Sequence, residues 1–253
     1  MANGRLLTKE LRLTVKSFNC RGLNDHKKCY IGSRLHDCDL SFIQERWLSS
    51  AQLDHLNILY PKDYATGVSD IGDEDVLRGR PYGGCAIVWL RNNHASVQIV
   101  STNSRRIWVL SVCYDTINLL FINVYLPHED GDANSDEFSR QRSITDNIVA
   151  QNQDFEVILG RDFNVDFSRN LSHTCLLNDF CSLTNLYPVI KHTCSIMDYT
   201  YHFNMSRFSV LDYFVVSGGL FDAAMSSFYS VHSRPTDATL ALASRAGRSM
   251  STL

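Results

Sequence analysis

The sequence lacks most of the features that assign a chain to a specialised class. It has only 5 prolines in 253 residues and neither an internal repeat nor a low-complexity tract, which excludes collagen-like and other fibrous chains. Its apolar runs fall well short of the roughly 20 residues of a membrane-spanning helix. Residues 1–10 contain no apolar core of signal-peptide length. We therefore expect no membrane association and an intracellular location, nuclear or cytoplasmic.

The chain also has no strong excess of charge of either sign. Its 24 basic and 27 acidic residues give a formal net charge of −3, so no global basic field identifies nucleic acid as a partner. The 8 cysteines form no Cys-x-x-Cys pair, which argues against zinc binding and fits a reducing compartment. The composition, 44% hydrophobic and 20% charged, is that of an ordinary soluble globular protein, and we expect a single domain and a monomer.

What the chain does contain is an alternation of β-like and helical segments. An alternating pattern predicts a strand over residues 11–19, and apolar or β-like stretches predict strands over 39–45, 84–90, 96–101, 106–113, 117–125, 154–162, 199–203 and 209–216, with an antiparallel meander between 84 and 125. Helical patterns cover residues 27–36, 50–60 and 176–181, and Asn134 with Glu137 can cap a further helix. Residues 62–81 have the composition of a polar loop, and beyond residue 234 the β pattern does not continue well. The pattern predicts a strand-rich sandwich flanked by helices.

Polar side chains mark the ends of four predicted strands, at Asn19, Glu45, Tyr125 and the pair Asp162 and Asn164. The last two lie two residues apart, so both project to one side of the backbone and can converge on one small anionic group. Taken singly, each has an ordinary explanation, because Asp and Asn form turns and Tyr packs with its hydroxyl at the surface. Asp212 falls inside a further apolar stretch, where an unpaired carboxylate is costly, so it is a functional candidate.

Seven short segments that include these residues occur in the order of a known family and span about residues 11–217. They are Ser17-Phe18-Asn19-Cys20-Arg21-Gly22-Leu23, Ile43-Gln44-Glu45-Arg46-Trp47, Gly83-Gly84-Cys85-Ala86-Ile87, Asn123-Val124-Tyr125-Leu126-Pro127, Gly160-Arg161-Asp162-Phe163-Asn164, Thr200-Tyr201 and Ser209-Val210-Leu211-Asp212-Tyr213-Phe214. Together they resemble the endonuclease/exonuclease/phosphatase superfamily, and within it the endonuclease domains of LINE-type retrotransposons and the related apurinic endonucleases. We place the domain at residues 11–240, between a leader over 1–10 and a divergent or truncated tail over 241–253.

The resemblance implies a fold, a cofactor and a set of roles. The fold is a four-layer α/β/β/α sandwich, and the reaction is hydrolysis of a phosphate ester with Mg²⁺, for which Mn²⁺ can substitute. The implied metal side comprises Glu45, Asn19 and Asp237. Tyr125 and Asn164 hold the phosphate, Asp162 orients or deprotonates the attacking water, and Asp212 belongs to the catalytic set. For substrate binding we assign Ser209, Thr200 and Arg161, with solvent exposure as the alternative for Arg161.

The sequence departs from the family at its C-terminal Ser-Asp-His-x-Pro motif. Counting on from Asp212 by the usual family spacing leads to Thr236-Asp237-Ala238, so the acid is in place and an alanine stands where the family has histidine. His232 is an alternative partner for Asp212, but that alignment leaves Asp237 unmatched. With Ala238 in this position the proton-transfer system is incomplete, because alanine can neither hold a proton nor contact a phosphate.

Substrate and activity remain open to three interpretations. Arg21 stands where apurinic endonucleases carry an acid, which favours the retrotransposon side and DNA as the partner. Four arginines can meet a phosphodiester backbone, with simple solvation as the alternative: Arg78, Arg80, Arg105 and Arg106. The leading hypothesis is a DNA-nicking endonuclease. The alternatives are an inactive relic that still binds metal or DNA and, with weaker support, a phosphomonoesterase for small substrates.

Overall fold

The backbone is built mainly from two β-sheets. The computed structural model describes residues 11–35, 38–53, 56, 63–68, 83–90, 95–114, 116–128, 132–189, 201–203, 207–227 and 237–244. Five strands form the first sheet: β1 (Leu11–Asn19), β2 (Leu40–Gln44), β3 (Asp63–Val68), β4 (Cys85–Leu90) and β13 (Asp237–Ser244). Their order is β13-β1-β2-β4-β3, and β1 and β2 run parallel.

Six strands form the second sheet: β5 (Ser96–Val100), β6 (Ile107–Cys113), β7 (Asn118–Tyr125), β8 (Glu156–Asp162), β9 (Leu186–Pro188) and β12 (Phe214–Ser217). Their order is β5-β6-β7-β8-β12-β9, and β7 and β8 run parallel at its centre. A separate antiparallel hairpin joins β10 (Tyr201–Phe203) to β11 (Arg207–Ser209). Each sheet therefore contains one parallel pair, and the carboxyl ends of the two strands in such a pair lie at the same edge.

The described helices are α1 (Asp25–Leu35), α2 (Asp132–Gln151), α3 (Ser172–Leu183) and α4 (Gly218–Ser227), with a 3₁₀ turn at Ser50–Gln52. Asn24 caps α1, since its Oδ1 accepts a 2.9 Å hydrogen bond from the Lys27 backbone N–H. No helix in the described ranges combines the length and the apolar character that crossing a membrane requires.

Three apolar clusters separate the layers. The first joins the facing sides of the two sheets and includes Val15, Phe42, Phe121 and Phe214, all fully buried. The second packs the outer side of the six-stranded sheet on α2 and α3, and the third packs the outer side of the five-stranded sheet on α1. Central strands bury both faces, which is why β7 is apolar at almost every position. The predicted four-layer α/β/β/α sandwich is confirmed.

Several local predictions were wrong. Residues 63–68 form β3 rather than a loop, because pairing with β4 supplies the hydrogen bonds that their polar sequence did not indicate. The strands between 84 and 125 form no single meander, since β4 belongs to the other sheet. Asn134 lies inside α2, which begins at Asp132. In the predicted helix over 50–60, the turn Ser50–Gln52 is 3₁₀, and residues 54, 55 and 57–60 lie outside the described part.

Two further corrections concern the C-terminal part. The predicted strand over 209–216 is two strands, β11 and β12, and Asp212 lies in the irregular segment between them. The expectation that the β pattern fails after residue 234 is wrong for residues 237–244, which pair with β1 over eight positions as β13. This strand continues past residue 240, and its short alanine side chains hid the alternation with Leu240 and Leu242.

Candidate active site

Polar residues from both sheets meet at one edge of the sandwich. Asn19 ends β1 and is in register with Gln44, the last residue of β2, so Glu45 follows directly beside it. Tyr125 ends β7 and is in register with Asp162, the last residue of β8. Because both parallel pairs end at this edge, residues far apart in sequence come together there.

Asn19 joins the two sheets at this edge. Its side-chain Nδ2 donates one 2.7 Å hydrogen bond to Glu45 Oε1 and another of 2.7 Å to Asp162 Oδ2. Its Oδ1 accepts a 3.1 Å hydrogen bond from the Arg21 backbone N–H, which fixes the orientation of the amide. Asn19 and Asp162 are buried, so a single amide group holds two carboxylates close together in a poorly solvated position.

The backbone around the site adopts conformations that most residues avoid. Among the described residues, five other than glycine have positive φ, and four of them lie here: Arg21 (45°), Glu45 (46°), Trp47 (54°) and Asn164 (51°). Each such conformation costs about 1–3 kcal/mol and persists only where the surrounding contacts impose it. Strain concentrated in this way is typical of a functional site rather than of an ordinary strand end.

Neighbouring backbone holds the strained turn that presents Glu45. The carbonyl of Glu45 accepts a 2.7 Å hydrogen bond from the Gly22 N–H, and the Trp47 N–H donates to the Gly83 carbonyl at 3.1 Å. Gly22 itself has a φ of +86°, and a Cβ added there would lie 2.6 Å from the Trp47 ring. The close approach of Trp47 therefore requires glycine at position 22.

Arg46 lies in this turn, and the sequence did not predict that its side chain would be buried. The side chain is fully buried, with its Nε donating to the Cys85 carbonyl at 3.3 Å and its Nη1 to the Leu48 carbonyl at 3.2 Å. Burial lowers the pKa of Arg46 to about 10, so the group stays charged at neutral pH. The one sequence signal was a cation two residues after the end of the buried strand β2.

The second half of the site is tied together at the ends of β7 and β8. Leu126 N–H donates to the Asp162 carbonyl at 2.9 Å, and the Leu126 carbonyl accepts a 2.7 Å hydrogen bond from Asn164 Nδ2. The Arg106 guanidinium lies 5.1 Å from the centre of the Tyr125 ring, in cation–π contact, and pairs with Glu137 at 3.6 Å. These contacts fix the Tyr125 ring next to the Asp162 strand end.

Asp212 is buried in the irregular segment between β11 and β12. The segment that carries it is attached to the site through a 3.3 Å hydrogen bond from the Phe163 N–H to the Leu211 carbonyl. Burial raises the pKa of the neighbouring Tyr213 well above its usual value, and the Cys181 thiol and the carboxylates of Asp166, Asp212 and Asp162 act in the same direction. Tyr213 therefore lies within electrostatic reach of several acids and remains neutral.

Asp166 is a nearby acid with a structural role. Its Oδ1 accepts hydrogen bonds from the Ser168 N–H at 2.9 Å and the Ser168 hydroxyl at 2.6 Å. This is an Asx turn, which is a structural role. Asp162, four residues earlier, instead faces Asn19 across the two sheets.

Several predicted site residues are placed only by their backbone or not at all. In β13, Asp237 is opposite Phe18 and Ala238 is opposite Ser17, so both lie beside the end of β1 that carries Asn19. Ser209 ends β11, and Arg161 is in register with Val124. The side chains of Asp237, Ser209 and Arg161 lie outside the described part of the structure, as do all atoms of Thr200, Arg78, Arg80 and His232. Arg105 is exposed.

The donor set suits a magnesium ion better than a transition metal. Two carboxylates converge, and Glu45 engages Asn19 through one of its two oxygens. Mg²⁺ prefers one or two carboxylates, with water and phosphate oxygens completing its coordination. No group of three or more His, Cys, Asp or Glu side chains that could enclose a metal is found within the described ranges. Asn19 turns its nitrogen toward Glu45, so in this arrangement it positions the acids instead of offering an oxygen ligand.

A cavity of about 610 Å³ opens beside the site. It shares Asn19 with the carboxylate cluster and is lined on its other sides by α1 and the preceding turn, including Arg21, His26, Lys27 and Tyr30. Lys27 Nζ donates a 2.8 Å hydrogen bond to the Arg21 carbonyl, and Arg21 and Lys27 both line the cavity. The cavity next to Asn19 thus carries positive charge even though the whole chain is slightly acidic.

Comparison with known proteins identifies the family. A model of the Endonuclease/Exonuclease/phosphatase family matches residues 17–237, which is most of the chain. The chain belongs to this family. No curated protein sequence matches it at a significant level.

Solved structures of the family share the fold at low sequence identity. The AP endonuclease LMAP from Leishmania major superimposes with a TM-score of 0.67 at 12% identity, over 92% of this chain and 88% of that one. The endonuclease domain of TRAS1, a telomere-specific non-LTR retrotransposon, gives 0.64 at 10% identity, over 92% and 98%. The 3' phosphatase NExo (D146N) from Neisseria, bound to a product DNA hairpin, gives 0.61 at 14% identity, over 92% and 99%. These structures show that the fold is shared, and family membership rests on the match over residues 17–237.

Proposed function

We propose that this chain is a metal-dependent phosphodiesterase that nicks DNA, of the type found in retrotransposon endonuclease domains. The observation that carries the proposal is the junction at Asn19, whose amide joins Glu45 of one sheet to Asp162 of the other with two 2.7 Å hydrogen bonds. Paired acids held apart by one donor can divide two tasks, one binding a metal ion and the other activating water.

Each side chain at the site has a proposed task. Glu45 would hold the metal ion, with Asp237 near it, and Mg²⁺ would supply charge stabilisation at the phosphate, with Mn²⁺ as a substitute. Asp162 orients a water molecule and accepts its proton while the water oxygen bonds to phosphorus and the bond from phosphorus to the leaving oxygen breaks. Asn19 holds Asp162 in place for this step through its hydrogen bond to Oδ2.

Tyr125 and Asn164 are proposed to hold the non-reacting phosphate oxygens. The hydroxyl of Tyr125 is a donor at the end of β7, and its ring is fixed under Arg106. Asn164 uses one N–H of its amide on the Leu126 carbonyl, and the same nitrogen carries a second hydrogen that can be donated to phosphate. Donors aimed at a phosphate stabilise the negative charge that builds up in the transition state.

DNA is the proposed substrate for two reasons. The cavity beside Asn19 is lined by Arg21, His26 and Lys27, and cationic side chains next to a phosphate site contribute sequence-independent affinity for a nucleic-acid backbone. Three structural relatives are described as an AP endonuclease, a retrotransposon endonuclease domain and a phosphatase bound to DNA. Ser209, Thr200 and Arg161 remain proposed substrate contacts.

The test is nicking of supercoiled plasmid by the purified chain with Mg²⁺. We expect relaxed circles with the wild type and none with Glu45→Ala, since that variant removes the metal-binding acid. Asp179→Ala is the matched control, because Asp179 is an exposed carboxylate on α3. Equal nicking by wild type and Glu45→Ala would reject the proposal, as would nicking that persists in EDTA.

A second candidate is an inactive relic that keeps the fold. The observation in its favour is Ala238, whose backbone lies opposite Ser17 at the end of β1 that carries the site, where the family motif has histidine. This reading predicts no nicking by the wild type and measurable nicking by Ala238→His. Ala150→His, on the exposed side of α2, controls for adding an imidazole elsewhere. Nicking by the wild type at the level of Ala238→His would dismiss it.

A third candidate is a phosphomonoesterase. One structural relative is described as a 3' phosphatase, and the acids and donors at this site are equally suited to a terminal phosphate. Release of inorganic phosphate from small phosphate esters or from 3'-phosphorylated oligonucleotides, with plasmid left intact, would favour this candidate over the endonuclease.

A further inference from the structure

A row of buried amide groups lies directly beneath the site. Gln44 on β2 and Asn123 on β7 are both fully buried, and Ser17 on β1 is nearly so. They belong to the facing sides of the two sheets, where the residues two positions earlier are core hydrophobics such as Phe42 and Phe121. Buried amides in this position are costly unless every donor and acceptor has a partner.

The hydrogen bonds of this row run from one sheet to the other. Gln44 Nε2 donates to Asn123 Oδ1 at 2.7 Å and to Ser17 Oγ at 3.1 Å. Asn123 Nδ2 in turn donates to the backbone carbonyls of Ile43 at 3.0 Å and Ala86 at 2.8 Å. Asn123 therefore reaches across the sandwich and binds β2 and β4 of the opposite sheet at the point where the antiparallel pairing of these two strands ends.

The row is placed where it can set the geometry of the site. Gln44 immediately precedes Glu45 and is in register with Asn19. Asn123 lies two residues before Tyr125 on the same face of β7 and is in register with Gly160, two residues before Asp162. Apolar contacts between sheets tolerate sliding, whereas hydrogen bonds between amides have a fixed length and direction.

We propose that Gln44 and Asn123 are positioning residues that fix the distance between the two halves of the site. This inference rests on the proposed function. The amide pair locks the sheet that carries Asn19 and Glu45 to the sheet that carries Tyr125 and Asp162. Neither residue touches the substrate, and loss of the pair separates the two halves without unfolding the sandwich.

The test compares Asn123→Leu with a control on the same strand. Leu119→Val alters a buried residue of the inter-sheet core at the opposite end of β7 and serves as the control for lost stability. Three measurements are made on each protein: Mn²⁺ affinity by calorimetry, kcat for plasmid nicking at saturating Mg²⁺ and DNA, and hydrogen exchange of the peptide that contains Arg46 and Trp47.

We expect Asn123→Leu to weaken Mn²⁺ binding at least tenfold, to lower kcat at least thirtyfold, and to speed exchange at Trp47, whose N–H bonds to Gly83. Leu119→Val should change each of these three quantities less than twofold, even if it lowers the melting temperature as much as Asn123→Leu does or more. Gln44→Met, which removes the amide pair but leaves the bonds of Asn123 to the carbonyls, should give the same pattern to a smaller degree, and it replaces Asn123→Leu if that variant does not fold.

The proposal is overturned if the amide variants and the control behave alike at matched stability, or if exchange at Trp47 stays within twofold of wild type. Failure of the proposed function gives a different result. A wild type that neither nicks DNA nor binds Mn²⁺ refutes the proposed function, and the exchange measurement still decides whether the amide pair holds the Glu45 turn.

Discussion

Replacing Asn19 by leucine is the most informative perturbation of the site. Leucine has nearly the same shape as asparagine but cannot donate to Glu45 and Asp162. Each of their carboxylate oxygens lies 2.7 Å from one nitrogen, so the two oxygens are separated by at most about 5.4 Å. Two unit charges at that separation repel by about 3 kcal/mol at an effective dielectric constant of about 20.

The two acids repel in the wild type as well, and Asn19→Leu removes the two charge-assisted hydrogen bonds that offset this repulsion, each worth about 1.5–3 kcal/mol where fully buried. Glu45 is partly exposed, so solvent reduces both contributions at that residue. We therefore expect Asn19→Leu to lower the free energy of unfolding by about 3–5 kcal/mol at pH 7 without metal.

Urea unfolding of wild type and Asn19→Leu at pH 7, in EDTA and in Mg²⁺, measures these quantities. Mg²⁺ should reduce the difference, because a divalent cation held by Glu45 would offset the negative charge that the missing donor leaves uncompensated. Asn147→Leu, on the exposed face of α2, is the control. A deficit below about 1 kcal/mol without metal, or one that Mg²⁺ leaves unchanged, would refute the electrostatic reasoning.

Three further predictions concern stability. Gly160→Ala should cost about 1–3 kcal/mol by urea unfolding, because its Cβ would lie 2.9 Å from the Phe42 ring between the sheets; an unchanged midpoint contradicts this. Arg46→Met should leave the melting temperature unchanged or raise it. Removing a buried charge with a pKa of about 10 relieves a desolvation cost of about 3 kcal/mol, which offsets the two lost hydrogen bonds. A loss of stability above about 3 kcal/mol would show that those bonds dominate. Burial raises the pKa of Tyr213, so the wild type should lose stability as pH rises above 10, the ordinary pKa of tyrosine. Tyr213→Phe should remove this loss of stability with pH, even though it also removes the hydrogen bond to the Val165 carbonyl. Parallel profiles of stability against pH for the two proteins would contradict this prediction.

Much of the fold followed from local pattern. The alternation in β1 and the apolar runs of β6, β7 and β8 are strong signals because these strands are flanked on both sides in their sheets and bury their side chains. The edge strand β3 and the alanine-rich β13 were missed, since a strand held mainly by backbone pairing with a distant segment carries little local signal. Asp212 looked like a strand residue because the irregular segment around it is as apolar as a strand.

The sequence by itself determined the chemical inventory: acids and amides at strand ends, in the order of a known family. Tertiary structure decided how these residues meet. Asn19 and Asp162 are separated by more than 140 positions along the chain, and no local pattern predicts that one amide would bridge two acids from different sheets. The inward-facing side chains change from apolar to polar toward the C-terminal ends of β1, β2, β7 and β8. Only the packing of the two sheets brings these polar ends together. The physical reason is that the site depends on the register between sheets, which is set by contacts such as Gln44 with Asn123 and not by the sequence of any one strand.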